Sequence, residues 1–181
     1  MLNFLTYQNQ EKIISDVKIF KLKVNRDNRG LLMENLKANW LEIFNENLPF
    51  GQNYCSVTNP GFARDENLWH QHPTQTDRFV VIKGSAVFAL FDGRNNSKTN
   101  GLLNLFLMGE KNSDDNQYLL TIPPEVLHGF CTVGKVPCYL LGFPTLVYNP
   151  KEEGRVPFVK AGVTFNDGAS FSWTSIREVF K

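Results

Sequence analysis

Three histidines carry the chemistry this chain could perform. His70 and His72 stand two residues apart in LWHQHPTQTDRFVVIKG, Asp77 and Arg78 follow in the same stretch, and His128 lies far along in IPPEVLHGF. Alternate residues of a strand share a face, so the HxH spacing presents two imidazoles together. Two chemistries fit that arrangement. A neutral imidazole, with an ordinary pKa of about 6.5, can take a proton from a carbon acid, and such a base contributes roughly 100-fold to 10,000-fold. Alternatively, His70, His72, Asp77 and His128 supply three imidazoles and a carboxylate, a set suited to a divalent transition metal such as Fe, Mn, Ni or Zn. A plainer reading makes the pair a loop end hydrogen-bonded to backbone. The spacing alone leaves all three open.

The elements that must position these residues are strands. Short apolar runs such as DVKIFKLKV, RFVVI, SAVFALF, LLNLFLM and YLLTI recur, each closed by Gly, Asn, Asp or Pro. The rhythm predicts an all-β chain. In SAVFALFD the bulky residues Val87, Phe88, Leu90 and Phe91 do not alternate, which predicts a strand covered on both faces, as in a sandwich or barrel. One segment breaks the pattern. Leu36, Trp40, Leu41 and Phe44 in MENLKANWLEIFNENL have helical spacing and predict a short amphipathic helix near residues 34 to 46. The tail, FSWTSIREVFK, reads equally as a strand or as a short docking helix.

Composition narrows the function classes. With 181 residues, 42% of them hydrophobic, a single domain over 1–181 is expected. Lys plus Arg total 19 against 18 for Asp plus Glu, and a net charge of +1 offers no general attraction to nucleic acid or anionic membrane. Any anionic ligand must therefore be held by local groups. No run reaches the length of a membrane span, and Cys55, Cys131 and Cys138 form no CxxC pair, so a cytoplasmic setting is expected.

The order His70, His72, Asp77, Gly84, with His128 downstream, resembles the first cupin motif and its distant histidine. A longer series is similar to the dTDP-4-dehydrorhamnose 3,5-epimerase family. It comprises Asp27, Arg29, Gly30 and Glu34 in RDNRGLLMENL, Gln52 and Ser56 in GQNYCS, the segment GSAVFALFDGRNNSKTNG, IPPEVLHGF around His128, and YNPKEEG around Tyr148 and Glu153. These matches are ordered and span roughly residues 27 to 154. The resemblance implies a double-stranded β-helix, the cupin jelly roll, acting as a homodimer on a nucleotide sugar and needing no metal.

It also implies a reaction: epimerisation of a dTDP-4-keto-6-deoxyhexose, as in dTDP-rhamnose biosynthesis, by deprotonation and reprotonation beside the C4 ketone. By position, His70 is the implied base, and Arg78, where the family has lysine, the implied charge for the enolate oxygen. A tyrosine ahead of the YxPxxEG run is the implied opposite-face acid. Tyr139 is the candidate, although its separation from Tyr148 exceeds the family pattern by three residues. Arg29, Glu34, Gln52, His128 and Tyr148 are the implied substrate contacts. The chain departs from the family at Asn67 and Leu68, where an Arg and a Gly precede the histidine, with Arg64 nearby but out of register. It departs again at His72, commonly glutamine, and after Asp167, where the aspartate that partners the histidine has no counterpart. Two competing readings follow from those departures. One is a metal-dependent cupin enzyme, such as an oxygenase; the other is a sugar-binding jelly roll without catalysis.

Overall fold

The computed structural model of the chain describes residues 2–10, 12–110 and 117–181. Among the described residues, twelve strands run in order: β1 (Lys18–Lys21), β2 (Val24–Asp27), β3 (Gly30–Met33), β4 (Tyr54–Thr58), β5 (Leu68–Gln71), β6 (Asp77–Lys83), β7 (Ser85–Phe91), β8 (Leu103–Gly109), β9 (Tyr118–Ile122), β10 (Leu127–Val133), β11 (Cys138–Gly142) and β12 (Gly154–Pro157). Two short helices, α1 (Phe158–Ala161) and α2 (Trp173–Glu178), close the chain. The strands form two five-stranded sheets, ordered β1-β9-β6-β11-β4 and β12-β5-β10-β7-β8, and the hairpin β2-β3 stands apart.

Apolar residues of the two sheets meet in one core, where Phe79 and Val81 of β6 and Leu140 of β11 pack with Phe88 and Leu90 of β7 and Phe106 of β8. The other face of the second sheet is also covered. Trp69, Val87, Ala89 and Cys131 pack there against Phe165, Phe171, Trp173 and Ile176 of the C-terminal segment. This double cover is why β7 reads as a continuous apolar run; Ser85 through Leu90 are all buried. The chain passes from one sheet to the other at Gly84, whose φ of +72° and 2.4 Å clearance from the Pro137 carbonyl oxygen to a would-be Cβ exclude a side chain.

The tail resolves as a helix. Ser172 caps α2 by accepting a hydrogen bond from the Ser175 N–H (3.2 Å), and Trp173 and Ile176 are its buried face. The helix expected near 34 to 46 does not form; the segment is a series of turns. Part of its apolar set still faces a core, because Leu36, Trp40 and Ile43 cover Leu22, Val80 and Leu119 on the outer face of the first sheet, while Leu41 is exposed. Side-chain competition breaks the helix. The Asn45 amide donates to the Leu41 carbonyl (2.7 Å) while its oxygen accepts from the N–H groups of Asn47 and Leu48. Among the described residues, no helix is long and apolar enough to cross a membrane.

Candidate active site

His70 sits on β5 with its side chain toward the inter-sheet space, because its neighbour Trp69 faces the outer core. In register, His70 pairs with His128 on β10 and with Arg155 on β12. His72 follows at the end of β5, and the three rings cluster, with centroids 4.7 Å (His70–His72), 5.4 Å (His70–His128) and 6.0 Å (His72–His128) apart. Asp77, the first residue of β6 in the opposite sheet, reaches across. Its Oδ2 lies 3.3 Å from His72 Nε2 and 3.4 Å from His128 Nε2, while Oδ1 accepts from the Gln75 amide (2.9 Å).

The proton positions follow from the partners. His72 Nδ1 meets the Glu152 carbonyl at 2.7 Å and His128 Nδ1 the Val126 carbonyl at 3.0 Å; a carbonyl only accepts, so both Nδ1 atoms carry hydrogen. Both Nε2 atoms then face one carboxylate oxygen, which is attractive only with a proton or another cation between them. Burial opposes charge on His72, but the hydrogen bond and charge of Asp77 outweigh it and raise its pKa. Burial would raise the Asp77 carboxyl too, yet the hydrogen bonds from His128 and His72 hold it well below the usual carboxylate range.

His70 is the exception in the cluster. Its Nε2 is buried without a hydrogen-bond partner, 3.7 Å from Glu153 Oε1. Burial, followed by the neighbouring His128, His72 and Arg155, pushes its pKa down to about 3, so the ring is neutral. Around it lies a cavity of about 470 Å³ whose lining includes Tyr54, Ser56, Arg64, Asp77 and Arg155. An adjoining cleft of about 260 Å³ shares Tyr54, His70 and His72 and adds Gln52, Tyr148 and Glu153. Both sizes suit parts of a small ligand. Two guanidinium groups line the larger cavity. Arg64 is held by Thr58 Oγ1 (2.9 Å) and the Val57 carbonyl (2.6 Å), and Arg155 by Asp65 (3.0 Å) and Glu153 (3.4 Å).

The residues read from the sequence divide in two. His70, His72, Asp77, His128, Gln52 and Tyr148 come together, with Gln52 Oε1 accepting from the Tyr148 N–H at 3.1 Å. Arg78 does not join them, and its expected role beside the enolate is corrected. Strand alternation that turns Asp77 inward turns Arg78 outward, where its fully buried guanidinium donates to the carbonyls of Phe143 (2.6 Å), Ile43 (2.8 Å), Leu48 (3.2 Å) and Pro49 (2.5 Å). Tyr139 is corrected on the same ground. On β11 it is Leu140 that lines the cavity, while the Tyr139 ring lies on the other face under the Lys83 ammonium at 5.5 Å. Arg29 pairs with Asp27 at the exposed β2-β3 hairpin, and Glu34 pairs with Lys37 (2.9 Å); neither lines the cavity of its own chain. Tyr54, Glu153 and Arg155 went unremarked as site residues. Tyr54 was within reach of the sequence, since Gln52, Tyr54 and Ser56 have the period of one strand face.

The site is a cluster of three imidazoles with two guanidinium groups around a cavity between two β-sheets, and comparison with known proteins identifies its class. The family described as dTDP-4-dehydrorhamnose 3,5-epimerase matches residues 11–168, and the chain belongs to it. It is 37% identical over 149 residues to the "Probable low-salt glycan biosynthesis epimerase Agl13" of Haloferax volcanii, covering 80% of this chain and 88% of that one. It is 34% identical over 163 residues to the spore coat polysaccharide biosynthesis protein SpsL of Bacillus subtilis, covering 88% and 99%. Among solved structures, a dTDP sugar isomerase from Desulfovibrio desulfuricans G20 superposes with a TM-score of 0.73 at 26% identity, covering 89% of this chain and 92% of that one.

Proposed function

We propose that the chain is an epimerase of a dTDP-4-keto-6-deoxyhexose in which His70 is the base. The observation that carries this reading is the buried, unpartnered Nε2 of His70 at the cavity, 3.7 Å from Glu153. A ketone at C4 acidifies the flanking C–H bonds. His70 accepts the proton, and Glu153 stabilises the imidazolium that forms, taking the part of the absent C-terminal aspartate. His72, its pKa raised by the hydrogen bond and charge of Asp77, adds preorganised positive charge beside the enolate oxygen. Arg64 and Arg155 bind the diphosphate, for which guanidinium geometry is suited, and Gln52 and Tyr148 hold the ligand in the adjoining cleft. The scaffold is a cupin jelly roll, the active unit a homodimer and the setting cytoplasmic, with deoxysugar biosynthesis as the process served.

Incubation with dTDP-4-keto-6-deoxyglucose in D2O, followed by NMR, tests the reading. Deuterium entering beside the ketone with inversion is the expected result; an unchanged substrate contradicts it. A second reading has its own observation. The ligand atoms of His70, His72 and His128 lie within 4.8 Å of one another, and the two fixed Nδ1–H tautomers leave Nε2 lone pairs facing Asp77. That donor set fits a divalent transition metal, which would supply Lewis acidity at the ketone. Elemental analysis finding about one metal ion per chain supports it, and exchange that survives chelation with no metal present rejects it.

A further inference from the structure

The epimerase reading requires a proton donor on the face opposite His70, and the displaced Tyr139 leaves that role open. The chain has five tyrosines. Tyr7 lies under the Lys21 ammonium at 5.5 Å, Tyr118 is buried with its hydroxyl donating to the Leu107 carbonyl (2.7 Å), and Tyr139 is on the outer face. Tyr148 lines the cleft alone. Tyr54 lines both the cleft and the histidine cavity, on β4 of the sheet facing His70.

Its position depends on a glycine. Tyr54 is directly opposite Gly142 in the β4-β11 register, and a Cβ built on Gly142 would come within 2.4 Å of Tyr54 Cζ, 2.7 Å of Cε1 and 2.8 Å of Cε2. The ring therefore lies in the space that a side chain on Gly142 would fill. Removing the three-residue excess between Tyr139 and Tyr148 places the implied tyrosine at 139 + 3 = 142, so the missing ring of one strand is supplied by its neighbour.

We infer that Tyr54 is the acid of this reaction, its phenol facing His70 across the cavity from the neighbouring strand, an assignment that rests on the epimerase reading. His70 takes the proton as the C–H bond breaks and its electron pair enters the enolate. The enolate pair then takes the Tyr54 O–H proton on the other face and a new C–H bond forms. Phenolate recovers a proton from water, and the imidazolium gives one to water. Burial, followed by Asp77 and Glu153, raises the Tyr54 phenol above its ordinary pKa of about 10, and it still remains more acidic than the ketone C–H.

Tyr54→Phe removes one oxygen and Gly142→Ala displaces the ring while leaving the phenol. Inversion and solvent deuterium exchange are measured separately on dTDP-4-keto-6-deoxyglucose, with Tyr139→Phe as comparator and thermal melts alongside. Tyr54→Phe is expected to slow inversion by roughly 100-fold or more while exchange stays within about tenfold of wild type, and Gly142→Ala to shift the same ratio by about tenfold. Tyr139→Phe is expected to change neither. Inversion at the wild-type rate in Tyr54→Phe, equal loss of exchange and inversion, or selective loss in Tyr139→Phe overturns the assignment. If Tyr54→Phe does not fold, an unchanged ratio in Gly142→Ala overturns it. A wild-type chain that exchanges no deuterium removes the epimerase reading and the Tyr54 role with it, whereas exchange with unaffected variants removes the role alone.

Discussion

Two buried aspartates, Asp77 and Asp92, anchor two polar clusters in this molecule, and they differ in what is left over. Around Asp92 every group is matched. Arg94 Nε (2.8 Å) and Nη2 (3.1 Å), Ser97 Oγ (2.5 Å) and Thr99 Oγ1 (2.6 Å) all donate to its carboxylate, and Arg94 Nη2 also donates to the Ser15 carbonyl (2.8 Å). That cluster closes the turn after β7 and ties residue 15 to it. Around Asp77 the matching stops short: His72 and His128 are engaged on both ring nitrogens, but His70 Nε2 has no partner and borders a cavity. A buried polar atom without a partner costs about 1–3 kcal/mol. The matched cluster ties a turn together, whereas the unmatched ring lines the cavity.

Variants can break or sharpen this contrast. The largest stability effect is expected at Arg78, the residue the sequence made catalytic. Arg78→Met leaves four carbonyl oxygens without their donor and should cost about 3–5 kcal/mol in urea unfolding, with turnover per folded molecule preserved. Trp173→Ala, which empties the buried face of α2, should cost about 3 kcal/mol in the same measurement and also spare turnover. Asp92→Asn should cost about 2 kcal/mol at pH 7. Burial alone would raise the Asp92 carboxyl, but the hydrogen bonds from Arg94, Ser97 and Thr99 depress its pKa. Its contribution is therefore present above the unfolded carboxyl pKa and lost as pH falls through the folded value, so the variant's acid unfolding curve should be flatter than wild type below pH about 4. The smallest effect concerns binding alone: Arg64→Ala should raise KM about tenfold, more at low salt, and leave the melting temperature unchanged.

Much of this was legible in the sequence, and what was not has physical causes. Period-two spacing gave the paired imidazoles, and the unbroken apolar run in β7 gave a strand covered twice. Helical spacing in 34–46 misled because Leu36 and Trp40 of that pattern, joined by Ile43, can cover a sheet from turns, held there by Asn45 and by the Arg78 guanidinium on the Ile43 carbonyl. Arg78 and Tyr139 were misassigned from position in a motif. Each stands one residue from a cavity-lining neighbour, Asp77 or Leu140, and one residue in a strand reverses the face. Glu153 could be quoted as part of YNPKEEG, but its approach to His70 depends on β12 pairing with β5, a contact between segments more than eighty residues apart that no local pattern encodes.

The central claim is that the unsatisfied imidazole, and not the saturated cluster, handles the proton. Solvent deuterium exchange into dTDP-4-keto-6-deoxyglucose, compared between His70→Ala and Asp92→Asn at equal concentrations of folded protein, tests it most directly. Exchange should fall by roughly 100-fold to 10,000-fold in His70→Ala and stay at the wild-type rate in Asp92→Asn. His70→Ala exchanging as fast as wild type would contradict the account.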